Sequence, residues 1–474
     1  MPFKPVILWT DALLFLLVAG TVMFFIYVRG RTHLRRPWSK LAQSKQGMAA
    51  LVFIAFFVCV GLLDSVHFRE RISDAGEAQQ RYAVQTLSVL DVIAGPIRTR
   101  NEKTYSAPLA THLYSKETVE LPGGERVRAY PRLEFGGAHL ADPDADWLGD
   151  VLRTTVAGLG VAAIVWNVLV LLVTALVARW GGFTTRQAWR LIWQGSTPVP
   201  WRTILVSAGV LIFLLMPMAA LSTRYHVLGT DKVGQDVFYL TLKSIRTGLL
   251  IATLATLVML PLATALGIMA GYFRGWVDDV IQYVYTTLNS IPSVLLIAAS
   301  VLMLQVYMGT HPELFDTIEQ RQDLRLLFLC LILGVMNWTG LCRLLRGETL
   351  KLREQEYVQA AHAFGVPNVS IISRHILPNV MHIILIAVVM DFSALVLAEA
   401  VLSYVGVGVD PTMNSFGNMI NAARLEMARE PMVWWSLASA FIFMLMMVLS
   451  ANLFADAVRD AFDPRIHSAS KEAD

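Results

Sequence analysis

The side chains that most often carry metal-binding or nucleophilic chemistry are scattered through this sequence. Cys59, Cys330 and Cys342 lie in apolar stretches with no CxxC pair and no histidine cluster beside them, so we predict packing residues rather than metal ligands or disulfides. His362 and His375 are the candidates for an intramembrane hydrolase, but no third ligand stands at a suitable spacing. We therefore predict no catalytic residue and no metal site, and a membrane enzyme is only an alternative hypothesis.

Polar side chains inside apolar stretches form a second group of candidates, because such residues are costly in a membrane and often functional. They are Asn167, Asn289, Asn337, Asp391, Glu399 and Asn452. Asp391 and Glu399 are two helical turns apart, which places them on nearly one face of a helix. These carboxylates either touch a transport pathway or bind a neighbouring helix, and we favour the interhelical interpretation.

The composition sets the class of protein. The chain has 474 residues, of which 55% are hydrophobic and 16% charged, and its mean hydropathy is +0.54. In soluble domains about a quarter of all residues are charged, so this lower charged fraction predicts a polytopic membrane protein. The net charge of +3 is too small to indicate a nucleic-acid partner. Because the sequence contains no GxxxxGKS or GxxxxGKT phosphate-binding loop, we predict no nucleotide cofactor for this chain.

Long apolar runs position these residues. A helix needs about 20 apolar residues to cross the hydrocarbon core, and every span is expected to be helical because lipid cannot satisfy an open backbone. Nine candidates occur, approximately at Leu8–Val28, Met48–Val66, Thr155–Val177, Thr203–Leu221, Leu249–Tyr272, Tyr283–Met308, Leu326–Leu344, Ile376–Val405 and Val433–Phe454.

Two basic loops predict the orientation. The loops 29–46 and 179–202 carry several lysines and arginines and no acidic residue, so the positive-inside rule places both in the cytoplasm. The N-terminus is then outside, and nine crossings leave the C-terminus in the cytoplasm. A signal peptide is the alternative for the first run, but its positive charges would precede the apolar core, whereas here they follow it.

The polar stretch 67–150 is predicted to be a small extracytoplasmic insertion. Its region Arg69–Ile93 has a helix-like pattern, and the segment ETVELPGGERVRAY has two alternating halves around Pro122, Gly123 and Gly124, which predict a β-hairpin. The insertion contains no catalytic constellation, and its function is not evident from sequence. A membrane-embedded sensor is an alternative, although the roughly twenty residues after Phe454 are too few for a signalling domain.

Between the seventh and eighth apolar runs the chain reads EYVQAAHAFGVPNVSIISRHILPN from Glu356 to Asn379. A short alanine-rich helix can lie close to another protein, Gly365 permits a conformation that ends it, and Pro367 enforces an extended approach before a second helix. The predicted product is a bent helix-turn-helix that docks a partner. The alternative is an ordinary cytoplasmic loop with alanine-rich helix propensity and no docking role.

This pattern resembles the EAA loop of permease subunits of ATP-binding-cassette (ABC) importers, in the spacing of the oligopeptide and dipeptide C-type branch. The positions that match, and that the resemblance makes ATPase-coupling residues, are Glu356, Tyr357, Ala360, Ala361, Gly365, Ile376, Leu377 and Pro378. A second segment, GTDKVGQD, resembles that branch's GTDxxGRD segment at Gly229, Thr230, Asp231, Gly234 and Asp236. Gln235 departs from the usual arginine, which leaves the role of that position open. The segment is either a gating element or only a polar turn with an aspartate helix cap before Val237.

The resemblance extends from His226 to Arg465 through GYFRGWVDD, LSYVGVGVDP and DAVRDAFDPR. It divides the chain into an added span with its basic loop (1–46), a span resembling the family's first (47–66), the insertion (67–150), two further spans (151–222) and the permease core (223–474) with coupling loop 345–375. It implies an all-α polytopic membrane protein with about nine transmembrane helices, six of them in the type I ABC importer arrangement, plus the small α+β insertion.

The implied function is import of peptides or related small solutes through a bacterial inner membrane, without enzymatic activity of this chain. The implied partners are a B-type permease subunit, two ATPase subunits that bind the ATP, an extracytoplasmic substrate-binding protein and membrane lipid. Nickel chelates and antimicrobial peptides are alternative cargoes, because the same branch transports them.

Overall fold

A computed structural model of the chain describes residues 3–30, 32–71, 82–120, 126–311, 313 and 317–462. Helices dominate this part of the chain. In chain order they are α1 (Trp9–Arg29), α2 (Thr32–Leu41), α3 (Lys45–Ser65), α4 (Val89–Ile93), α5 (Gly95–Thr99), α6 (Pro143–Gly181), α7 (Thr185–Gln194), α8 (Trp201–Ser222), α9 (Val237–Phe273), α10 (Gly275–Ser290), α11 (Ser293–Thr310), α12 (Ile318–Arg353), α13 (Glu356–Ala363), α14 (Asn368–Ile371), α15 (Leu377–Tyr404), α16 (Phe416–Glu426) and α17 (Trp435–Phe462).

Within the described ranges, nine helical segments are long and apolar enough to cross a membrane, which confirms the predicted number. They are α1, α3, α6, α8, α9, α11, α12, α15 with the turns before it, and α17. The predicted sixth span, Tyr283–Met308, is wrong as one helix. The chain breaks at Ile291-Pro292 between α10 and α11, because a proline cannot donate the next helical hydrogen bond and keeps the residue before it extended.

The β-structure of the described residues lies in the insertion and in the N-terminal segment Phe3–Val6. Strands β1 (Phe3–Val6), β2 (His67–Glu70) and β3 (Leu87–Ser88) form an antiparallel sheet in that order. The helix-like prediction for Arg69–Ile93 is therefore wrong at its start, since β2 pairs with a strand more than sixty residues away that no local pattern shows. Strands β4 (Glu117–Glu120) and β5 (Arg126–Ala129) confirm the hairpin, and its turn residues Pro122, Gly123 and Gly124 lie outside the described residues.

The chain divides into two compact units. The first unit comprises Met1–Val6, Ser39–Thr247 and Asn414–Ser450, and it contains the insertion, α3 and the α6–α8 region. The second unit comprises Ile7–Trp38, Gly248–Met413 and Ala451–Asp474, and it contains α1 and α10–α15. Helices α9 and α17 contribute residues to both units.

In the second unit, α1 begins on a carboxylate of α12. The backbone N–H of Trp9 donates to Asp323 Oδ2 at 2.8 Å, and the Thr10 hydroxyl donates to Asp323 Oδ1. The first N–H groups of a helix have no intrahelical acceptor, and Leu8 at the N-cap offers no side-chain acceptor. Asp323 therefore supplies the cap that the local sequence of α1 lacks.

The second unit depends on close contact between α9 and α12. Gly267 and Gly271 are one turn apart on α9, and a Cβ placed on them would lie 2.8 Å from Cys342 O and 2.7 Å from Arg346 O of α12. Small residues at this spacing let two membrane helices approach until their backbones nearly touch. Cys342, like Cys330, is buried as predicted, whereas Cys59 on α3 is exposed.

Gly271→Leu is accordingly expected to lower the midpoint temperature of thermal unfolding in detergent. Forcing a side chain into a packed interface costs about 1–3 kcal/mol. Gly340→Leu on α12 is the matched control, because nothing lies within 4 Å of a Cβ placed there. An equal loss in both variants would show that helix propensity or hydrophobicity, rather than the α9–α12 contact, sets the effect.

Candidate functional sites

The first candidate site is the segment 356–376, named the elbow here, which follows α12 in the second unit. Helix α13 ends in a Schellman motif: Val366 N–H donates to Ala361 O at 3.1 Å, and Gly365 N–H donates to His362 O at 3.0 Å. Gly365 has φ +74°, in the left-handed region. Glycine adopts that region without steric cost, and it commonly ends helices in this motif. The predicted turn at Gly365 is thus present.

The second arm of the elbow starts at Pro367, the N-cap of α14, and continues through a π-helical turn, Ile372–Ile376, into α15. Ile371 and Ile376 are fully buried in an apolar cluster with residues of α9, α10 and α12. The Tyr272 hydroxyl donates to Asn368 Oδ1 at 2.9 Å. These contacts fix the direction of the second arm against the transmembrane core of the second unit.

A hydrogen bond also joins the two arms. Asn379 Nδ2, at the start of α15, donates to Tyr357 Oη of α13 at 3.1 Å and to His375 O at 2.6 Å. The rings of Tyr357 and His375 lie 6.0 Å apart between centroids. The bend is therefore held at its base by contacts between side chains on both arms as well as by the backbone at Gly365.

The predicted coupling residues divide by burial. Glu356, Tyr357, Ala360, Gly365 and Pro378 are exposed, Ala361 and Leu377 are half-buried, and Ile376 is buried. Val358, the residue after Tyr357 in the motif, is also buried and packs inward. The large apolar side chains of the elbow that a partner can reach are Tyr357, Phe364 at 86% exposure and Val369 at 78%.

The second candidate site is Gly229–Asp236 in the first unit, where the segment forms a tight turn. Asp231 Oδ1 accepts from the backbone N–H groups of Val233 and Gln235 at 2.9 and 2.8 Å. Asp236 Oδ1 accepts from Phe238 N–H at 2.8 Å, so Asp236 caps α9 as the sequence predicts. A gating role of the segment stays a prediction. The Gln235 side chain is exposed.

Residues of the insertion clamp this turn, which the sequence did not reveal. The Thr230 hydroxyl donates to Thr104 O at 2.9 Å and accepts from Ser106 N–H at 2.6 Å. Gly234 O accepts from Glu102 N–H at 2.9 Å. A Cβ on Gly234 would lie 1.7 Å from Glu102 O, so only glycine permits this approach. The motif and the insertion form one local structure.

At its centre lies a buried charged group of three side chains. His226 Nδ1 donates to Asp236 Oδ2 at 2.8 Å, and its Nε2 is 3.4 Å from Glu102 Oε1. Glu102 also accepts from the backbone N–H groups of residues 134, 135 and 136 at 2.9–3.1 Å. Charges removed from water are tolerated when paired and hydrogen-bonded in this way.

The pKa values follow from these contacts. Burial alone would raise the pKa of Glu102, but the hydrogen bonds from His226 and the backbone hold it at about 2. Burial alone would lower the pKa of His226, but Asp236 and Glu102 raise it to about 9. At neutral pH the histidine is therefore cationic between two carboxylates, and the group acts as a structural clamp.

This clamp predicts a pH dependence. Because the folded pKa of His226 is raised, its contribution to stability is complete below about pH 6.5 and is lost as the pH rises through about 9. Glu102 has a lowered pKa, so its contribution is lost only as the pH falls from about 4.5 toward 2. The thermal midpoint of the purified chain should thus fall between pH 6.5 and 9.

His226→Gln should lower the midpoint at pH 6.5 and remove most of its change up to pH 9. His139→Gln is the comparison variant, because His139 is more exposed and pairs with Asp150 at the surface. If the wild-type and His226→Gln midpoints follow the same pH curve, His226 does not carry the dependence.

The polar residues within the spans have varied environments. Asn167 and Asn337 donate to carbonyls of their own helices. Asn289 of α10 accepts from the Thr339 hydroxyl of α12 at 3.1 Å, an interhelical bond. Glu399 is buried and accepts from the Ser403 hydroxyl at 2.8 Å. Asp391 is half-buried, and within the described residues it makes no hydrogen bond.

Comparison with known proteins places this architecture in a family. Residues 263–468 match the family described as binding-protein-dependent transport system inner membrane component, a range that contains the whole elbow. The oligopeptide transport system permease protein OppC of Mycobacterium tuberculosis is 33% identical over 51% of this chain and 77% of its own length. The dipeptide transport system permease protein DppC of Alkalihalophilus pseudofirmus is 31% identical over 51% and 73%. The glutathione transport system permease protein GsiD of Pectobacterium atrosepticum is 28% identical over 60% and 94%.

The chain belongs to the binding-protein-dependent permease family of ABC importers, and it resembles the oligopeptide and dipeptide permeases within it. It is thus a multi-pass inner-membrane transporter subunit rather than an enzyme, and it works with separate ATPase and substrate-binding partners. The resemblance inferred from the EAA pattern is confirmed.

Proposed function

We propose that this chain imports peptides and that its elbow receives the force of ATP hydrolysis from a separate ATPase subunit. The observation that carries the proposal is the elbow's surface: a bend fixed by Gly365 and a buried base presents Phe364 and Val369 to the outside. Contiguous exposed apolar patches mark protein interaction sites, and we propose that Phe364 and Val369, on one bend of a polar loop region, form such a patch. Because the base of the elbow packs on α9, α10 and α12, a push on its tip is transmitted to helices of the transmembrane core.

Coupling requires a difference in binding. A partner shifts an equilibrium between two permease conformations only if it binds them with different affinities. The ATP-bound and ATP-free forms of the ATPase are therefore proposed to hold the elbow differently. ATP itself is proposed to bind only to the partner subunits, and this chain to need no cofactor.

We infer an orientation with the N-terminus outside and the C-terminus in the cytoplasm. Its support, besides the charge of loops 29–46 and 179–202, is that Lys45 and Arg202 from these loops line one cleft of the first unit. Arg153 and Arg224, from the other ends of α6 and α8, line a different cleft. Both clefts support placing the two basic loops on one side of the membrane, and counting crossings assigns the elbow to that side.

The proposed assembly contains a B-type permease subunit beside this chain, two ATPase subunits and a substrate-binding protein at the insertion's side of the membrane. Glycine-to-valine changes in the elbow should affect all cargoes alike, whereas cargo choice is proposed to depend largely on the binding protein. Peptide cargo is supported by the oligopeptide and dipeptide transport named for the relatives.

The test is reconstitution of this chain in proteoliposomes with the permease, ATPase and binding-protein products encoded beside it. ATP hydrolysis stimulated by the binding protein with a peptide mixture supports the proposal. Stimulation by a nickel chelate but not by peptides overturns the peptide assignment and leaves the coupling role intact. Cysteine labelling at exposed positions in the elbow and the insertion, in intact and opened vesicles, checks the orientation.

A further inference from the structure

A cleft of about 470 Å³ opens between the N-terminal ends of α3 and α8 in the first unit. We call it the basic cleft, and its lining includes Lys45, Arg202, Thr203, Val206 and Ser207. Both helices start a membrane span here, so the cleft lies where apolar helix surface gives way to the polar boundary of the membrane. It lies outside residues 263–468, the range that matches the family.

The cleft is strongly biased toward an anion. Lys45 is the first residue of α3 and Arg202 the second of α8, where the helix dipole disfavours a cation and favours a negative charge. Neither cation pairs with a carboxylate among the described residues, and the loops 29–46 and 179–202 contain no acidic residue. Pro200 at the N-cap of α8 offers no side-chain acceptor, and the first N–H of the helix, that of Trp201, donates to Val199 O at 2.8 Å.

A hydroxyl in the cleft also lacks a partner. Ser207 is only 9% exposed, yet within the described part of the chain its side chain makes no hydrogen bond. The Ser207 Oγ atom is not among the fully buried polar atoms that lack a partner in the described residues, so it is open to the cleft and available to a ligand there. Thr203 precedes it by one helical turn and lines the same cleft. Cations and hydroxyls together match the oxygen atoms of a phosphate group.

An apolar stripe leads away from the cleft along α8. Arg202, Val206 and Val210 succeed each other at four-residue spacing, and Val206, Val210 and Phe213 are exposed on the surface of this spanning helix. A free phosphate or a nucleotide has no acyl chain to bury on these apolar side chains, whereas the acyl chain of a phospholipid would pack along them.

We propose that the basic cleft binds the phosphodiester headgroup of an anionic phospholipid, with Lys45 and Arg202 on the phosphate, Thr203 and Ser207 hydrogen-bonded to its oxygens, and an acyl chain along Val206 and Val210. Basic pockets between membrane helices bind anionic lipid headgroups through this chemistry. The proposal requires only that the chain spans a membrane, so it stands or fails separately from the peptide cargo and the elbow.

The test is native mass spectrometry of the full chain in neutral detergent, titrated with dioleoyl-phosphatidylglycerol and with dioleoyl-phosphatidylcholine. We expect the wild type to retain phosphatidylglycerol preferentially. The double variant Lys45→Gln with Arg202→Gln should weaken that binding about 30-fold, since each cation near a lipid surface contributes about fivefold. Ser207→Val should weaken it about tenfold without changing the charge.

The matched control is Arg179→Gln with Arg186→Gln, which removes two exposed cations from the same loop but outside the cleft. An equal loss in this control would overturn the proposal in favour of a general surface charge effect. So would equal binding of the two lipids by the wild type. Complete displacement of phosphatidylglycerol by 10-fold excess inorganic phosphate would assign the cleft to a soluble anion instead, which also overturns it.

Discussion

In the assembled transporter, Gly365→Val is expected to reduce substrate-stimulated ATP hydrolysis by about tenfold or more, while the chain still inserts into the membrane. Gly365 has φ +74°, and no atom lies within 4 Å of a Cβ placed there. The cost of valine is therefore purely a backbone cost, about 1–3 kcal/mol for a β-branched residue in the left-handed region. Each 1.4 kcal/mol against the docked bend is a factor of ten in its population.

Gly365→Asn is the matched control for this variant. Asparagine tolerates the left-handed conformation far better than valine, and the open space around Gly365 accommodates its side chain. We expect Gly365→Asn to retain most of the stimulated ATPase rate. If asparagine and valine impair the rate equally, the backbone conformation at Gly365 is not what positions the elbow. Normal transport by Gly365→Val would refute the coupling role of the elbow.

Phe364→Ala is expected to weaken association of the ATPase subunit by about 30-fold, measured as retention of the ATPase on the purified permease. Phe364 is the most exposed large apolar side chain of the elbow, at 86%, and it makes few contacts within the chain, so truncation should leave the fold intact. Aromatic side chains buried on binding often account for about 2 kcal/mol or more of an interface, which is a factor of about thirty.

Two comparisons isolate that effect. Phe183→Ala removes another exposed aromatic side chain, from the turn between α6 and α7 on the side assigned to the elbow, and it should leave ATPase retention unchanged. Val358→Ala should instead lower thermal stability, because Val358 is buried in the base of the elbow. Unchanged ATPase retention in Phe364→Ala would place the docking surface elsewhere.

Ala360 and Ala361 of the elbow differ in burial. The two alanines are adjacent in the motif, but Ala360 is exposed whereas Ala361 packs partly against the apolar cluster at the base. A charge at Ala361 would therefore disturb the chain's own packing, and only a charge at Ala360 tests contact with the partner. Ile376, equally part of the motif, belongs to the interior and positions the surface without forming it.

Much of this protein was determined by local sequence. The nine spanning helices of the described ranges follow from apolar runs, apart from the break before Pro292, because only a helix satisfies its own backbone within lipid. The bend at Gly365 and Pro367 follows from the restricted conformations of those two residue types, and the Asp236 cap from an aspartate placed just before a helix. In each case the residues that decide the structure lie within a few positions of one another.

Only the tertiary structure decided which residues far apart in the chain form pairs. His226 meets Glu102 across 124 positions of the chain, and Trp9 meets Asp323 across 314. The strand pairing of β1 with β2 and the joining of Lys45 with Arg202 in one cleft are of the same kind. A single sequence shows the charge or hydroxyl at each position but not its partner, because the partner is set by how the helices pack. The same packing decided which motif residues face inward, and so which of them a second protein can touch.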